Sequence, residues 1–429
     1  MSQLKFGTNK IALGFSSLLI AIPFLVYFYI VNHYTVDIPV WDDYVNPLDI
    51  TNKAIEASPW KEKLLLLATP MNGHIPFLPR VLLYLQFLVG VTSCIKTALI
   101  VSNVGWMLAT ALIMYYCYRS LKLPIMYLIP IPYFMLSIAH WEAMDFYSSA
   151  FQMYWGSGLL VVGGLIAVAS GRPLLASLLL LGGLFSSGGT LAAYPVCLLY
   201  YLLTRQWKGG IIFLVCSLAV AWLYVAVNPP GNNLHRIPAV DAIVLYTLTF
   251  LGNIMSTGQW DLSALAWTHR AIGASMIIIM FFFTWRQKNA TAIKLIFFTI
   301  VLMGMMASYM RMDLYAFAVS RYAMYALLAA TCSYIMFALH YKQSSNRSSL
   351  IPVALVAVIA IGLWAHSLLV CRTPLQSNHD QRVAHMRGYI ETHDLGVLSE
   401  ITWNVEHARG VLETSRKLGL YDYTRALSQ

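Results

Sequence analysis

Hydrophobic positions in this chain come in long runs rather than in stripes. About 20 apolar residues carry a helix across the hydrocarbon core of a bilayer. Runs approaching that length recur near 11–31, 97–117, 123–139, 153–169, 174–187, 189–203, 210–227, 266–285, 290–309, 321–341 and 349–370. The pattern predicts an all-α integral membrane protein with about eleven transmembrane helices. The short pair 174–187 and 189–203 suits a broken or re-entrant hairpin hinged at Ser186-Ser187-Gly188-Gly189.

Two stretches depart from this pattern. In the first outer loop, 33–96, the segments Lys53–Ala68 and Pro76–Val91 mix leucine with charge, and they read as helices lying in the headgroup plane. From Arg372 to Gln429 the chain turns polar, with Asp, Glu, His and Arg at helix-like spacing. That tail reads as a small helical extramembrane segment or as a cap over the site. The organisation is thus a transmembrane domain over 1–370, with the site carried by 33–96, and a helical tail over 371–429 on the outer face.

Charge orients the spans. Lys5 and Lys10 precede the first run, which is too long for a secretory h-region of about 7–15 residues and is followed by no small-x-small cleavage site. It reads as an uncleaved anchor with the N-terminus cytoplasmic. Alternating from there, Arg119, Lys122, Arg172, Arg205, Lys208, Arg286, Lys288, Lys342 and Arg347 fall inside, where Lys and Arg collect. All 18 acidic residues fall outside, seven of them in the tail. The apolar segment 241–259 is read as an interfacial or re-entrant helix, because a crossing there would turn Trp285-Arg286-Gln287-Lys288 outward.

Composition agrees with this reading. The chain is 59% hydrophobic and 11% charged, against about 45–50% and about 25% in soluble domains. Its formal charge of +10 then reflects cytoplasmic loops. No basic tract interleaved with aromatics points to nucleic acid. The six cysteines form no C-x-x-C pair, so neither a zinc site nor a disulfide framework is readable. Gly182-Gly183 and Gly188-Gly189 are not followed by Gly-Lys-Ser/Thr and read as close helix packing. No cofactor is implied. The paired aspartates permit a divalent ion, but an oxygen cage needs more ligands than the sequence assembles.

The scarce ionisable groups gather outside the spans. Trp41-Asp42-Asp43-Tyr44 opens the first loop, and a partly desolvated carboxylate there can take the proton of an attacking hydroxyl. The same pair also suits an ordinary solvated turn, with Trp41 either a sugar-stacking platform or an interfacial anchor. Asn72, His74 and Arg80 follow, an amide, an imidazole and a guanidinium fork suited to hydroxyl and phosphate oxygens; a snorkelling arginine in an interfacial loop is the plainer reading. His140, Glu142 and Asp145 stand among aromatics in AHWEAMDFY, as a carbohydrate site or an aromatic belt. Arg321 and Tyr322, preceded by Arg311 and Asp313, can hold a lipid phosphate whose charge develops on leaving, or can anchor a helix. His235 and Arg236 are weaker candidates.

This arrangement resembles the GT-C class of membrane glycosyltransferases. The likeness rests on one span, then a long outer loop opening with Trp41-Asp42-Asp43-Tyr44, then many spans and a late Arg321-Tyr322. NGHIPFLPR (72–80) is similar to an Asn-Glu-His-Arg element of some bacterial members. Gly73 and Ile75 stand where that element carries Glu and Arg, which shifts a phosphate contact toward Arg80. Size and layout are also similar to the serotype-converting enzymes that add glucose to O-antigen. The resemblance implies a polyprenyl-phosphate-sugar donor, a surface glycan acceptor and inverting transfer at the periplasmic face of a bacterial inner membrane. It implies Asp42 or Asp43 as base, Arg321 with Arg80 and Tyr322 at the donor phosphate, and Trp41, Asn72, His74, His140, Glu142 and Asp145 about the substrates. The alternatives are a flippase or transporter of lipid-linked saccharide, which the charge-poor middles of the spans disfavour, and an O-antigen polymerase or ligase, which leans on a late loop.

Overall fold

The computed structural model describes residues 10–71, 74–91, 94–227, 239–255, 263–311, 319–343 and 350–425. Asn72, His235, Arg236 and Asp313 lie outside them. Helix dominates, and the one β pairing among the described residues is an isolated bridge between Met71 and His74.

The chain opens with α1 (Lys10–Tyr34). A π-helical turn at Tyr44–Leu48 leads into α2 (Asp49–Glu56), α3 (Trp60–Leu67) and α4 (Phe77–Leu88). These short helices are amphipathic: Trp60, Leu65, Leu85 and Leu88 are exposed, while Leu67, Arg80 and Leu83 are buried. Next comes α5 (Cys94–Arg119). Asp37 caps it, one carboxylate oxygen accepting the Ile95 and Lys96 N–H groups at 2.9 and 3.0 Å, donors that a helix start leaves unpartnered.

The expected span 123–139 is not one helix. It is a turn at Ile125–Leu128, α6 (Pro130–Met135) and a turn at Ile138–His140. Pro130 and Pro132 supply no N–H to a helical ladder, so the helix cannot run through from Ile125. Then come α7 (Trp141–Asp145) and a rod assembled from α8 (Tyr147–Phe151), a π-helical stretch Gln152–Leu160 and α9 (Val161–Ala169). The expected hairpin follows as α10 (Pro173–Leu184) and, after a turn at Gly188–Ala192, α11 (Ala193–Leu203).

After α12 (Trp207–Val227), α13 (Val240–Gly252) covers the first part of the stretch 241–259 read as interfacial. It crosses α14 (Ser263–Thr284) at backbone contact. A Cβ on Gly252 would sit 1.7 Å from the His269 carbonyl oxygen, and one on Gly273 would sit 2.2 Å from that of Leu248. Then α15 (Thr291–Arg311) and the turn Ser320–Tyr322 lead into α16 (Ala323–Lys342), which is buried along nearly its whole length. The last elements are α17 (Leu350–Thr392), 43 residues long, and α18 (Val405–Leu418).

Among the described residues, eight helices are long and apolar enough to cross a membrane: Leu13–Tyr34, Ile95–Arg119, Tyr147–Ala169, Trp207–Val227, Leu265–Thr284, Thr291–Tyr309, Ser320–Lys342 and the apolar part of Leu350–Thr392. The other three expected spans are the broken segment 123–139 and the shorter helices α10 and α11.

Helix ends group by charge. At one end Lys342 Nζ donates to the Leu121 carbonyl at 2.9 Å, Lys294 Nζ to that of Thr284 at 2.8 Å, and the Gln287 and Gln343 amides pair. At the other end the Arg321 N–H reaches Glu142, and Arg382 reaches Asp145. The tail packs there against the first loop. Tyr421 donates its hydroxyl hydrogen to the Asp37 carbonyl, Asn52 Nδ2 donates to Val411 O at 3.2 Å and Ser415 Oγ at 2.8 Å, and Arg372 Nε donates to the Tyr34 hydroxyl at 2.8 Å.

Candidate functional site

A cavity of about 340 Å³ opens at the acidic end of the helices. Its polar lining residues include Asp42, Asn46, His74, Ser148, Ser149, Gln152, Ser187 and Arg321. Met153, Leu191, Phe250, Met303, Met306, Tyr322 and Tyr325 line it as well. Residues nearly 280 positions apart thus share one hollow, because the start of α16, the end of α15 and the start of the α8–α9 rod all meet the first loop here. Both π-helical segments contribute, through Asn46 and through Gln152 and Met153. Such widened turns occur frequently at functional sites.

The two adjacent aspartates separate. Asp42 is exposed and lines the cavity. Asp43 is buried at 1% exposure and turned inward. Its Oδ1 accepts the Ser148 N–H at 2.9 Å and its Oδ2 the Val40 N–H at 3.4 Å. Burial pushes its carboxyl up to about 6, against the pull of those donors and of Arg382. Asp43 therefore ties two backbone segments together and is not among the residues lining the cavity, which corrects the expectation that either aspartate could serve as the base and leaves Asp42 as the candidate.

The expected donor-phosphate residues divide as well. Arg321 and Tyr322 line the cavity, with the guanidinium carbon 5.9 Å from the Tyr322 ring centre. The Arg321 N–H donates to Glu142 Oε2 at 3.2 Å, so the carboxylate fixes the turn that presents the arginine. Arg80 is buried at 1% exposure. Its Nε donates to Asn46 Oδ1 at 2.9 Å, and one terminal nitrogen donates to the Leu67 and Thr69 carbonyls. Buried and bonded to the loop in this way, Arg80 is a brace that holds Asn46 at the cavity wall.

Among the expected substrate contacts, His74 lines the cavity. Its Nδ1 accepts the Gly188 N–H at 3.0 Å, which in the neutral ring leaves the proton on Nε2 as a donor. Glu142 acts through Arg321. The other three described residues stand elsewhere. His140 is fully buried with Nδ1 2.6 Å from the Tyr154 hydroxyl, packed against Trp106 and Tyr27, and burial pushes it down to about 3. It is a neutral core histidine. Asp145 is buried in an ion pair with Arg382 at 2.6 Å. Trp41 packs edge-on against Trp403 of the tail at 4.0 Å, and its N–H donates to the Ile401 carbonyl at 2.9 Å.

The sequence reading missed Asn46, Ser148, Ser149, Gln152 and Ser187. One signal was available: SSAFQ (148–152) puts three polar residues at the mouth of an apolar span. The stretch Ser186-Ser187-Gly188-Gly189 is expected as a hairpin hinge and its glycines as close helix packing, with no part in the site. Gly183 does pack, since a Cβ there would meet Thr190 at 3.0 Å and the Gly156 carbonyl at 3.1 Å, whereas Gly188 and Gly189 line the cavity. No residue of the tail lines it among the described residues, so the tail stands behind the first loop rather than over the opening. Those residues also contain no group of three or more His, Cys, Asp or Glu placed to hold a metal. Comparison with protein-family models, with curated proteins and with solved structures finds no match in any of the three.

Proposed function

We propose that this chain is a GT-C-like membrane glycosyltransferase. It moves a hexose, glucose by resemblance, from a polyprenyl-phosphate sugar to a surface glycan such as O-antigen. The observation that carries the reading is the convergence of an exposed carboxylate, Asp42, and a cation, Arg321, on one cavity lined by both polar and apolar side chains. A volume of about 340 Å³ sits at the lower end of the roughly 300–1,000 Å³ range of small-molecule sites, enough for a sugar with part of its carrier.

In this mechanism the donor phosphate lies against Arg321 and the first isoprene units lie against Met303, Met306 and Phe250. The sugar hydroxyls meet Asn46, Gln152, Ser148, Ser149 and the Nε2–H of His74. The acceptor hydroxyl attacks the anomeric carbon from the side opposite the phosphate. Its oxygen bonds to that carbon, the carbon–phosphate oxygen bond breaks, and Asp42 takes the proton. Arg321 offsets the charge that grows on the departing polyprenyl phosphate.

The same reading sets the topology. The Lys- and Arg-bearing ends face the cytoplasm. The broken segment 123–139 and the short helices α10 and α11 complete eleven crossings, so the N-terminus is cytoplasmic while the cavity and the tail are periplasmic. A transporter is less well supported, because the charged groups of the cavity lie at helix ends rather than midway along them.

The test is to incubate membranes containing the protein with a panel of radiolabelled polyprenyl-phosphate hexoses and acceptor lipopolysaccharide. Label passing from lipid to polysaccharide, and lost in Arg321→Ala, supports the assignment. No transfer from any donor, with the protein present in the membrane, removes it.

A further inference from the structure

Asp42 is held from both sides by the same distant part of the chain. On its N-terminal side Trp41 has φ +50°, a strained left-handed conformation that a non-glycine residue keeps only where its surroundings hold it there. What surrounds it is the tail: Trp41 N–H donates to Ile401 O, and its ring packs on Trp403, which is itself 74% exposed. On the C-terminal side Asp43 accepts the Ser148 N–H. Ser148 follows Asp145 by three residues, and Asp145 is clamped by Arg382. One Arg382 terminal nitrogen lies 2.6 Å from the Asp145 carboxylate and the other donates to the Asp145 carbonyl at 3.1 Å. The Arg382 guanidinium also stands 5.2 Å from the Phe146 ring centre.

We infer that the tail is a positioning element that sets the Asp42 carboxylate in the cavity, with Trp403 and Arg382 as its two points of purchase. Neither residue lines the cavity, so both are positioning residues. Arg321 is held by Glu142, which shares α7 with Asp145, so Arg382 braces both sides of the cavity, whereas Trp403 bears on the Asp42 side through Trp41. This inference rests on the transferase reading for its kinetic consequence and on geometry alone for its structural one.

The structural consequence is tested without sugar transfer. In an Asp42→Cys protein, the rate at which a membrane-impermeant maleimide modifies the new thiol reports how firmly position 42 is held. The rate is expected to rise severalfold when Trp403→Ala is added. Trp403 projects from the surface, so this change leaves the core intact. Arg382→Lys keeps the buried charge but loses the fork, and is expected to raise the rate as well. An unchanged rate in both variants overturns the inference, whatever the protein's activity.

The kinetic consequence is a split. Trp403→Ala, with Asp42 in place, is expected to lower kcat about ten- to hundredfold, the scale of a displaced catalytic group, while donor KM stays within about twofold. A rise in donor KM with kcat unchanged overturns it. Trp403→Phe, which keeps a ring on Trp41, is expected to restore most of kcat. Glycine adopts positive φ at no steric cost, so in a Trp41→Gly background Trp403→Ala is expected to have little further effect; full additivity there overturns the Trp41 contact as the route. If labelling rises as expected but the unmodified protein transfers no sugar, the transferase reading fails and the positioning role stands.

Discussion

The two ends of the helical bundle are built differently. At the basic end, α5, α9, α14 and α16 run regularly to their last turn, and lysine amines close the structure by donating to carbonyls of neighbouring turns, as Lys342 does to Leu121 and Lys294 to Thr284. At the acidic end the backbone is irregular. Two π-helical segments, three 3₁₀ turns and the short α7 and α8 crowd around the cavity, and side chains rather than ladders fix them: Arg80 on Asn46, His74 on Gly188, Glu142 on Arg321, Asp43 on Ser148. Regular helix suffices where the chain only has to turn round. Where many backbone segments must present single side chains to one point, each needs its own brace.

Substitutions can break or sharpen that contrast. The largest effect is expected at the acidic end. Asp42→Asn keeps size and removes the proposed base, and should lower transfer by about 10²–10⁴-fold with membrane levels of protein unchanged; Asp43→Asn should lower it less and destabilise the fold as well, because the amide cannot accept at both of its ends. Radiolabel transfer with immunoblotting of membranes separates the two. Next, Arg321→Ala should cost about 10²–10³-fold, and Glu142→Ala, which frees the turn beneath it, should cost less than Arg321→Ala and in the same parameter.

A pH series gives a smaller effect. The buried Asp43 carboxyl sits near 6 in the folded protein against an ordinary 3.8. Below about 6 it takes a proton, and one oxygen can then no longer accept from the backbone N–H it faces. Transfer is expected to fall as pH drops from about 6.5 toward 5. Stability should not fall with it through this group. Its folded value is the raised one, so the folded state binds more protons between about 4 and 6 and gains stability as pH falls through that window. Rate and melting temperature measured across the same pH range should therefore move in opposite senses as far as Asp43 controls them. The smallest effect is expected at the basic end, where Lys342→Ala should cost about 1 kcal/mol of stability, the scale of one hydrogen bond, and leave transfer unchanged.

The sequence makes the bundle legible because apolar run length is a local property. Eight of the expected spans are helices of the right length, and the short pair at 174–203 was visible as such. The break at 123–139 was also written locally, in Pro124, Pro130 and Pro132, but the hydrophobic count hid it. The site was legible only in its exposed, isolated members. Asp42, His74 and Arg321 stood out as polar groups beside apolar runs. What separates Asp42 from Asp43 is the Ser148 N–H arriving from 105 residues away, and no spacing rule encodes that. His140 and Asp145 misled for the same reason: their partners Tyr154 and Arg382 make them parts of the interior, and a polar residue in an aromatic loop looks alike in either role. Trp403, in turn, carried no pattern at all.

One feature of α17 has a mechanical meaning. Its buried positions, Val353, Ala360, Ser367, Cys371, Leu375, Arg382, Met386 and Tyr389, recur at sevens, fours and a three along a single helix, so one seam continues from the apolar stretch into the polar tail. A helix advances about 100° and 1.5 Å per residue, and along such a seam the sequence length between two anchors is also an angle. One residue inserted near His379, in the exposed polar part, would swing Arg382 about a quarter-turn off Asp145 while Ser367 kept its hold on the Ile138 N–H; seven residues would restore the bearing but overshoot the distance by roughly 10 Å. The rod works like a camshaft, in which the phase between lobes is cut into the metal and cannot be reset by the parts it drives.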